Sequence, residues 1–196
     1  MQPIILASAS PRRAELLRQL GLSFTTMALD IDETPGQGEA PADYVTRLAR
    51  EKAVAGYELA GEAEALVLGS DTSVVLDDRI LGKPHSREAA VAMLQDLSGR
   101  RHQVMTGVAL AGAGICRVRL SVTEVSFRVL APGEIQAYCD TGEPMDKAGG
   151  YGIQGKGGAF VRQIQGSYSA VVGLPLDITA ELLADAGVPV WKYWIS

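Results

Sequence analysis

The chain has little of what would mark a metal cage, a disulfide scaffold or a nucleic-acid binder. Its 196 residues contain two cysteines and two histidines. Cys116 and Cys139 lie far apart, in no metal-type spacing, and read as buried free thiols of a reducing compartment. His85 and His102 are too few for a histidine-rich metal site. Lys and Arg number 18 against 23 Asp and Glu, a formal net charge of −5. That deficit argues against a general binder of nucleic acid or membrane surfaces, which would carry a basic excess. No apolar run approaches the ~20 residues that span a bilayer. The start of the chain shows no basic segment leading into a signal-type apolar stretch, so a cytoplasmic protein is the expectation. A hydrophobic share of 47% with 21% charged residues fits a globular chain able to bury a full core. One domain is expected over residues 1–196, or two lobes sharing a core, with no internal repeat and no linker.

Residues 66–84 form the stretch around which the rest is organised. A short apolar run at 65–68 reads as a buried strand. Gly69, Ser70 and Asp71 follow, and the chain is apolar again at 74–76. A carboxylate in such surroundings must be paired, hydrogen-bonded or on a metal, because burying a lone charge costs several kcal/mol. Asp77-Asp78 reads as a hairpin turn. The return strand at 79–81 leads to Gly82-Lys83-Pro84, so the hairpin can carry Lys83 back towards Asp71. Two readings stay open: a strand-end acid with a structural partner, or an acid and a base facing a metal-bound phosphate.

The N-terminal segment pairs a strand at 3–7 with a helix. Ser10 suits the N-cap and Pro11 the first helical position; Leu16, Leu17 and Leu20 share a face, and Gly21 stops it. Arg12 and Arg13 fall in the first turn, where the helix dipole favours anions. The conflict points to an anion held by the helix start, the Ser8-Ala9-Ser10 turn and the guanidinium forks; the alternative is a solvated arginine pair. A strand is expected at 24–29. The acidic run Asp30 to Glu33 is either a solvated loop or, through Glu33, a source of oxygen ligands for a hard cation.

A long helix is expected at 41–60. Tyr44, Leu48 and Lys52 fall four apart on one face, so Lys52 extends an apolar stripe. It either snorkels to water or points at the anion of Arg12 and Arg13. Arg47 and Glu51 make an i,i+4 pair. Ser86 caps a helix to about Leu97 that ends at Gly99. Strands follow at 102–110 and 115–130. In the latter the alternation of Val118, Leu120 and Val122 shifts phase to Val125, Phe127 and Val129, as a bulge near Glu124 would cause. A short helix is expected at 132–138. Residues 142–158 are glycine-rich without regular pattern, a kind of loop that is usually functional. There Gln154 suits the edge of a base, and Tyr151 either stacks or packs. A strand at 159–164, a turn at 166–169, an apolar run at 171–174, a helix from near Pro175 to before Gly187, and a tail at 191–194 that packs on the body or on a partner subunit complete the reading.

Taken together, Ala7-Ser8-Ala9-Ser10-Pro11-Arg12-Arg13, Asp32-Glu33-Thr34, Leu48-Ala49-Arg50-Glu51-Lys52-Ala53, Gly69-Ser70-Asp71-Thr72, Gly82-Lys83-Pro84, the run from Asp146 to Gly155 and Val172-Gly173-Leu174-Pro175 resemble the Maf family of nucleoside triphosphate pyrophosphatases. The motifs span nearly the whole chain in the family's order. The glycine segment with Gly166-Ser167-Tyr168 resembles the dTTP- and UTP-preferring branch. Ser73 and Ala170 are flanking positions where relatives often carry other residues. The resemblance implies a mixed β-sheet flanked by helices, of the α/β class, two-lobed with a central cleft and Ham1- or ITPase-like. It implies hydrolysis to a nucleoside monophosphate and pyrophosphate, a divalent cation such as Mg or Mn, homodimers, a nucleotide house-cleaning role and a cytoplasmic enzyme. It makes Asp71 the proton acceptor, with Lys52 and Lys83 beside it in the chemistry. Arg12, Thr72 and Gln154 become the positions of base preference. Ser8, Arg13, Glu33, Lys52 and Lys83 become phosphate or metal ligands. Whether Asp71 is chiefly base or metal ligand stays open. Two other readings remain beside this one: a nucleotide-binding regulator of septum formation without turnover, and a 7-methyl-GTP pyrophosphatase.

Overall fold

The computed structural model describes residues 2–194; residues 1, 195 and 196 of the expected single domain lie outside the described residues. The elements in chain order are β1 (Ile4–Ala7), α1 (Pro11–Arg18), β2 (Thr25–Thr26), α2 (Pro41–Ala60), β3 (Leu66–Leu76), β4 (Arg79–Leu81), α3 (Arg87–Leu97), β5 (Arg101–Gly112), β6 (Ile115–Phe127), α4 (Pro132–Asp140), β7 (Val161–Gln165), α5 (Tyr168–Val172) and α6 (Leu176–Asp185). Seven strands form one mixed sheet in the order β2-β1-β3-β5-β6-β7, with β4 on β3. Pairing is parallel for β1 with β2 and with β3, and antiparallel for β3 with β4 and β6 with β7. The expected α/β class is observed. Among the described residues no helix is long and apolar enough to cross a membrane.

The chain divides into two compact units. The first holds residues up to Asp71, Thr106–Ser121 and the chain from Gly173; the second holds Thr72–Met105 and Val122–Val172. In the first unit Ile4, Ile5, Leu6 and Ala7 are all buried, as expected of a parallel strand covered on both faces. Helix α2 lies on β3 through small residues. Ala49, Ala53 and Gly56 are buried on α2, and Gly69 of β3 has no room for a side chain. A Cβ there would run into the Ala49 carbonyl and sit 2.6 Å from the Ala53 amide nitrogen. That close backbone approach is what glycine permits.

The second unit is packed around Val74, Leu76, Leu94, Leu97, Val125, Phe127, Tyr151 and Phe160. Asp77 and Asp78 turn the β3–β4 hairpin with φ of 50° and 61°, the left-handed pair a two-residue hairpin turn needs. Ser86 caps α3 by accepting from the Ala89 amide. Tyr151 packs rather than stacks outward: its ring meets Phe127 edge-on at 4.7 Å, and its hydroxyl lies 2.8 Å from His102 Nε2.

Several expectations change in detail. Cys139 is buried as expected, but Cys116, on β6, is exposed. The strand at 24–29 shrinks to Thr25–Thr26, where the ladder to β1 holds Ile5 and Leu6 alone. Strand β3 runs unbroken through Gly69 and Asp71. The irregularity of β6 falls between Ser126 and Phe127 in its pairing with β7, two residues beyond the expected place. The glycine-rich segment is three short 3₁₀ turns, Glu143–Asp146, Ala148–Gly150 and Lys156–Phe160. The turn expected at 166–169 opens helix α5, with the Ala170 amide donating to Ser167 Oγ.

Candidate active site

Strand β1 ends at Ala7, and Ser8 begins the turn into α1. The Ser10 amide donates to Ser8 Oγ at 3.1 Å, so Ser8 shapes the helix entry, while the Ser10 side chain makes no capping bond. Arg13 Nη1 reaches Ser8 Oγ at 3.4 Å, and its Nε donates to the Gly173 carbonyl at 2.9 Å. Arg13 is therefore half-buried and directed inward, unlike a solvated surface arginine. Desolvation lowers its pKa; Asp71 and Glu33 push it back up, and neighbouring Arg12 lowers it further. A guanidinium so held keeps its charge, because its ordinary pKa is above 12.

The centre of the site is Lys52. It is 8% exposed, as is Asp71. Lys52 Nζ lies 2.7 Å from Asp71 Oδ1 and 2.6 Å from Glu33 Oε1. The expectation that Lys52 snorkels to water gives way to a buried pairing with two carboxylates. The physical reason is the glycine contact described above. Gly69 lets α2 settle on β3 two residues before Asp71, and the ammonium then meets the carboxylate. Burying both charges is tolerable because they are paired and hydrogen-bonded.

Two further side chains brace this centre, and the sequence reading gives them no such part. Tyr44 donates its hydroxyl to the Glu33 carbonyl at 2.8 Å, from the α-helical face it shares with Leu48 and Lys52. Burial, followed by the charges of Asp71 and Glu33, raises the Tyr44 pKa to about 12, so it stays a donor at neutral pH. Ser70 Oγ lies 3.0 Å from the carbonyls of both Gly107 and Gly173. The Gly173 carbonyl thus serves Arg13 and Ser70 together. The available signals are position alone: Tyr44 on the Lys52 stripe, and Ser70 beside Asp71 in a buried run. Arg47 pairs with Glu51 at 3.3 Å as expected, but its shorter partner is Glu39 at 2.6 Å. That contact, with the Gly36 amide, holds the Glu39 carboxyl down to about 2.

The first unit thus holds Ser8, Arg12, Arg13, Glu33, Lys52 and Asp71, with Thr72, Lys83 and Gln154 in the second. Thr72 is half-buried on β3, Lys83 is exposed beyond β4, and Gln154 is exposed between the second and third 3₁₀ turns. Among the described residues no cluster of three or more His, Cys, Asp or Glu could hold a metal. The pair Glu33 and Asp71 still suits a hard divalent cation that takes its remaining ligands from phosphates and water.

The family model described as Maf-like protein matches residues 3–186. A protein of Shewanella sp. (strain MR-7) named dTTP/UTP pyrophosphatase is 57% identical over 191 residues, covering 94% of this chain and 98% of that one. A Colwellia psychrerythraea protein of the same name is 55% identical over 189 residues, covering 95% and 89%. A solved structure, the Staphylococcus aureus Ham1 protein, aligns with a TM-score of 0.45 and 16% identity over 64% of this chain and 71% of that one, a likeness too loose to bear on chemistry.

Proposed function

The chain belongs to the Maf family, and from that premise we propose that it is a nucleoside triphosphate pyrophosphatase acting on dTTP and UTP. It cleaves the anhydride between the α- and β-phosphates and releases the nucleoside monophosphate and pyrophosphate. The observation that carries the reading is the buried Lys52 held at 2.7 and 2.6 Å by Asp71 and Glu33. A buried ion pair adds little stability over apolar packing, so chemistry is the better account of three charges at one point.

In this reading Asp71 accepts the proton of the attacking water. The water oxygen forms a new bond to phosphorus as the bridging oxygen leaves with pyrophosphate. Phosphoryl chemistry needs positioning and charge stabilisation more than covalent help. Lys52 orients the Asp71 carboxylate and offers positive charge. Arg13, held by Ser8 and the Gly173 carbonyl, brings its guanidinium charge to phosphate oxygens, which such groups bind well. Lys83 is a further phosphate ligand. Arg12, Thr72 and Gln154 set base preference. Glu33 and Asp71 would hold a divalent cation, Mg or Mn, which when bound neutralises phosphate charge. The same reading makes the enzyme a homodimer working in the cytoplasm on canonical or modified pyrimidine nucleotides.

The test is pyrophosphate release from UTP, the four dNTPs and 7-methyl-GTP with Mg or Mn. Turnover led by dTTP and UTP is expected. Binding without turnover would make the protein a nucleotide-binding regulator, and a preference for 7-methyl-GTP would place it in the sister branch.

A further inference from the structure

Gln154 stands at the tip of a tight turn in which the Gly155 amide donates to the Gly152 carbonyl at 3.2 Å. Both flanks of that turn end on one carboxylate. On the far side, the Lys156 amide donates to Glu143 Oε2 at 3.1 Å and the Gly157 amide to Glu143 Oε1 at 3.2 Å. On the near side, the Gly152 amide donates to the Tyr138 hydroxyl at 3.3 Å, and that hydroxyl donates to Glu143 Oε1 at 3.0 Å. The Glu143 backbone is itself anchored, since Lys147 Nζ donates to its carbonyl at 2.7 Å.

The glycines of this segment are shaped by the same contact. A Cβ at Gly155 would collide with Glu143 Oε1, and one at Gly157 would lie 2.8 Å from the Tyr138 hydroxyl. Burial works against ionisation of Glu143, but the two amides, the Tyr138 hydroxyl and Lys147 outweigh it, and its pKa lies below the ordinary carboxyl value.

We propose that Glu143 is a positioning residue for base selection: its carboxylate fixes both flanks of the Gly152–Gly155 turn and so sets where Gln154 presents its amide. This rests on the reading of the chain as a pyrimidine-nucleotide pyrophosphatase with Gln154 at the base. Both Glu143 oxygens accept from N–H or O–H donors. A glutamine amide must therefore turn an NH₂ towards one of these donor sets and lose the bonds accepted there: the Lys156 amide at Oε2, or the Gly157 amide and the Tyr138 hydroxyl at Oε1. Hydrogen bonds to charged groups are among the stronger ones.

The experiment compares the parent, Glu143→Gln, Tyr138→Phe, Gln154→Ala and the Glu143→Gln/Gln154→Ala double variant. It measures kcat and KM for dTTP, UTP, dCTP and dGTP, with thermal melts alongside. Glu143→Gln should lower the preference for dTTP over dCTP about tenfold, through a raised KM for dTTP with kcat largely kept. Tyr138→Phe, which loses only the near-side link, should move the preference the same way by less. In the Gln154→Ala background the Glu143 substitution should change the ranking no further. Two results overturn the proposal: a lower melting temperature with the parental ranking intact, or a Glu143 effect that adds in full to that of Gln154→Ala. A parent that turns over no nucleotide removes the functional reading itself, and is told apart because the parent fails rather than the variant.

Discussion

Replacing Asp71 by asparagine removes one charge and almost no volume. In the parent, Lys52 Nζ sits between Asp71 Oδ1 at 2.7 Å and Glu33 Oε1 at 2.6 Å. Breaking a buried pair costs about 3–5 kcal/mol when the surviving charge is left uncompensated. Here the ammonium keeps Glu33, and the asparagine carbonyl can still accept from it. The cost should therefore fall to about 1–2 kcal/mol, lowering Tm by roughly 2–8 °C for a chain of this size. Activity should suffer far more. The asparagine amide cannot take a proton from water, and general-base assistance is worth roughly 10²–10⁴-fold. The assay is pyrophosphate release from dTTP at saturating nucleotide, with a circular-dichroism melt of the same preparation. A variant that folds and loses at least about a hundredfold in kcat agrees with the reasoning. A folded variant hydrolysing dTTP at the parental rate refutes the assignment of Asp71.

Gly69→Ala should drive a Cβ into the Ala49 carbonyl and the Ala53 amide, costing about 2 kcal/mol or more and lifting α2 off β3. Urea unfolding reads the stability, and dTTP turnover should fall with it because Lys52 moves from Asp71; unchanged values for both would remove the glycine contact as the source of the pairing. His102 is buried, and desolvation holds its pKa down to about 4 against an ordinary 6.5. The unfolded chain therefore takes up the proton first: the contribution is whole above about pH 6.5 and is lost as pH falls through about 4. That amounts to roughly 3 kcal/mol, seen as a drop in urea midpoint between pH 7.5 and 4.5 that His102→Gln should lack.

The element types along this chain are largely legible because their local signals agree. Pro41 to Ala60 carries a helical period and proline at its first position, and is found as one helix. Asp77-Asp78 between strand-like runs is found as a left-handed hairpin turn. Ser86 caps as expected. Legibility fails where tertiary contacts outweigh local pattern. The apolar run at 65–68 reads as a short strand, yet β3 continues through Gly69, where the backbone of α2 takes the place of a side chain. Lys52 reads as a lysine that either snorkels or faces an anion, since nothing in spacing shows that Asp71, 19 residues on, is its partner. The segment 142–158 reads as irregular because it is held by short turns and by contacts such as those of the Glu143 carboxylate, which leave no periodicity. Ser8, Arg12 and Arg13 stand out in the sequence because two arginines in a first turn break the dipole rule, and such local conflicts concentrate at functional sites.

The central claim is that Lys52, Asp71, Glu33 and Arg13 serve cleavage of a triphosphate at its α–β anhydride. Phosphorus-31 NMR of dTTP incubated with the enzyme and Mg tests it most directly, since it identifies the bond that breaks. Resonances of dTMP and pyrophosphate growing in equal amounts, and absent with Asp71→Asn, are the predicted result. The appearance of dTDP with orthophosphate, or the same product growth with Asp71→Asn, would contradict it.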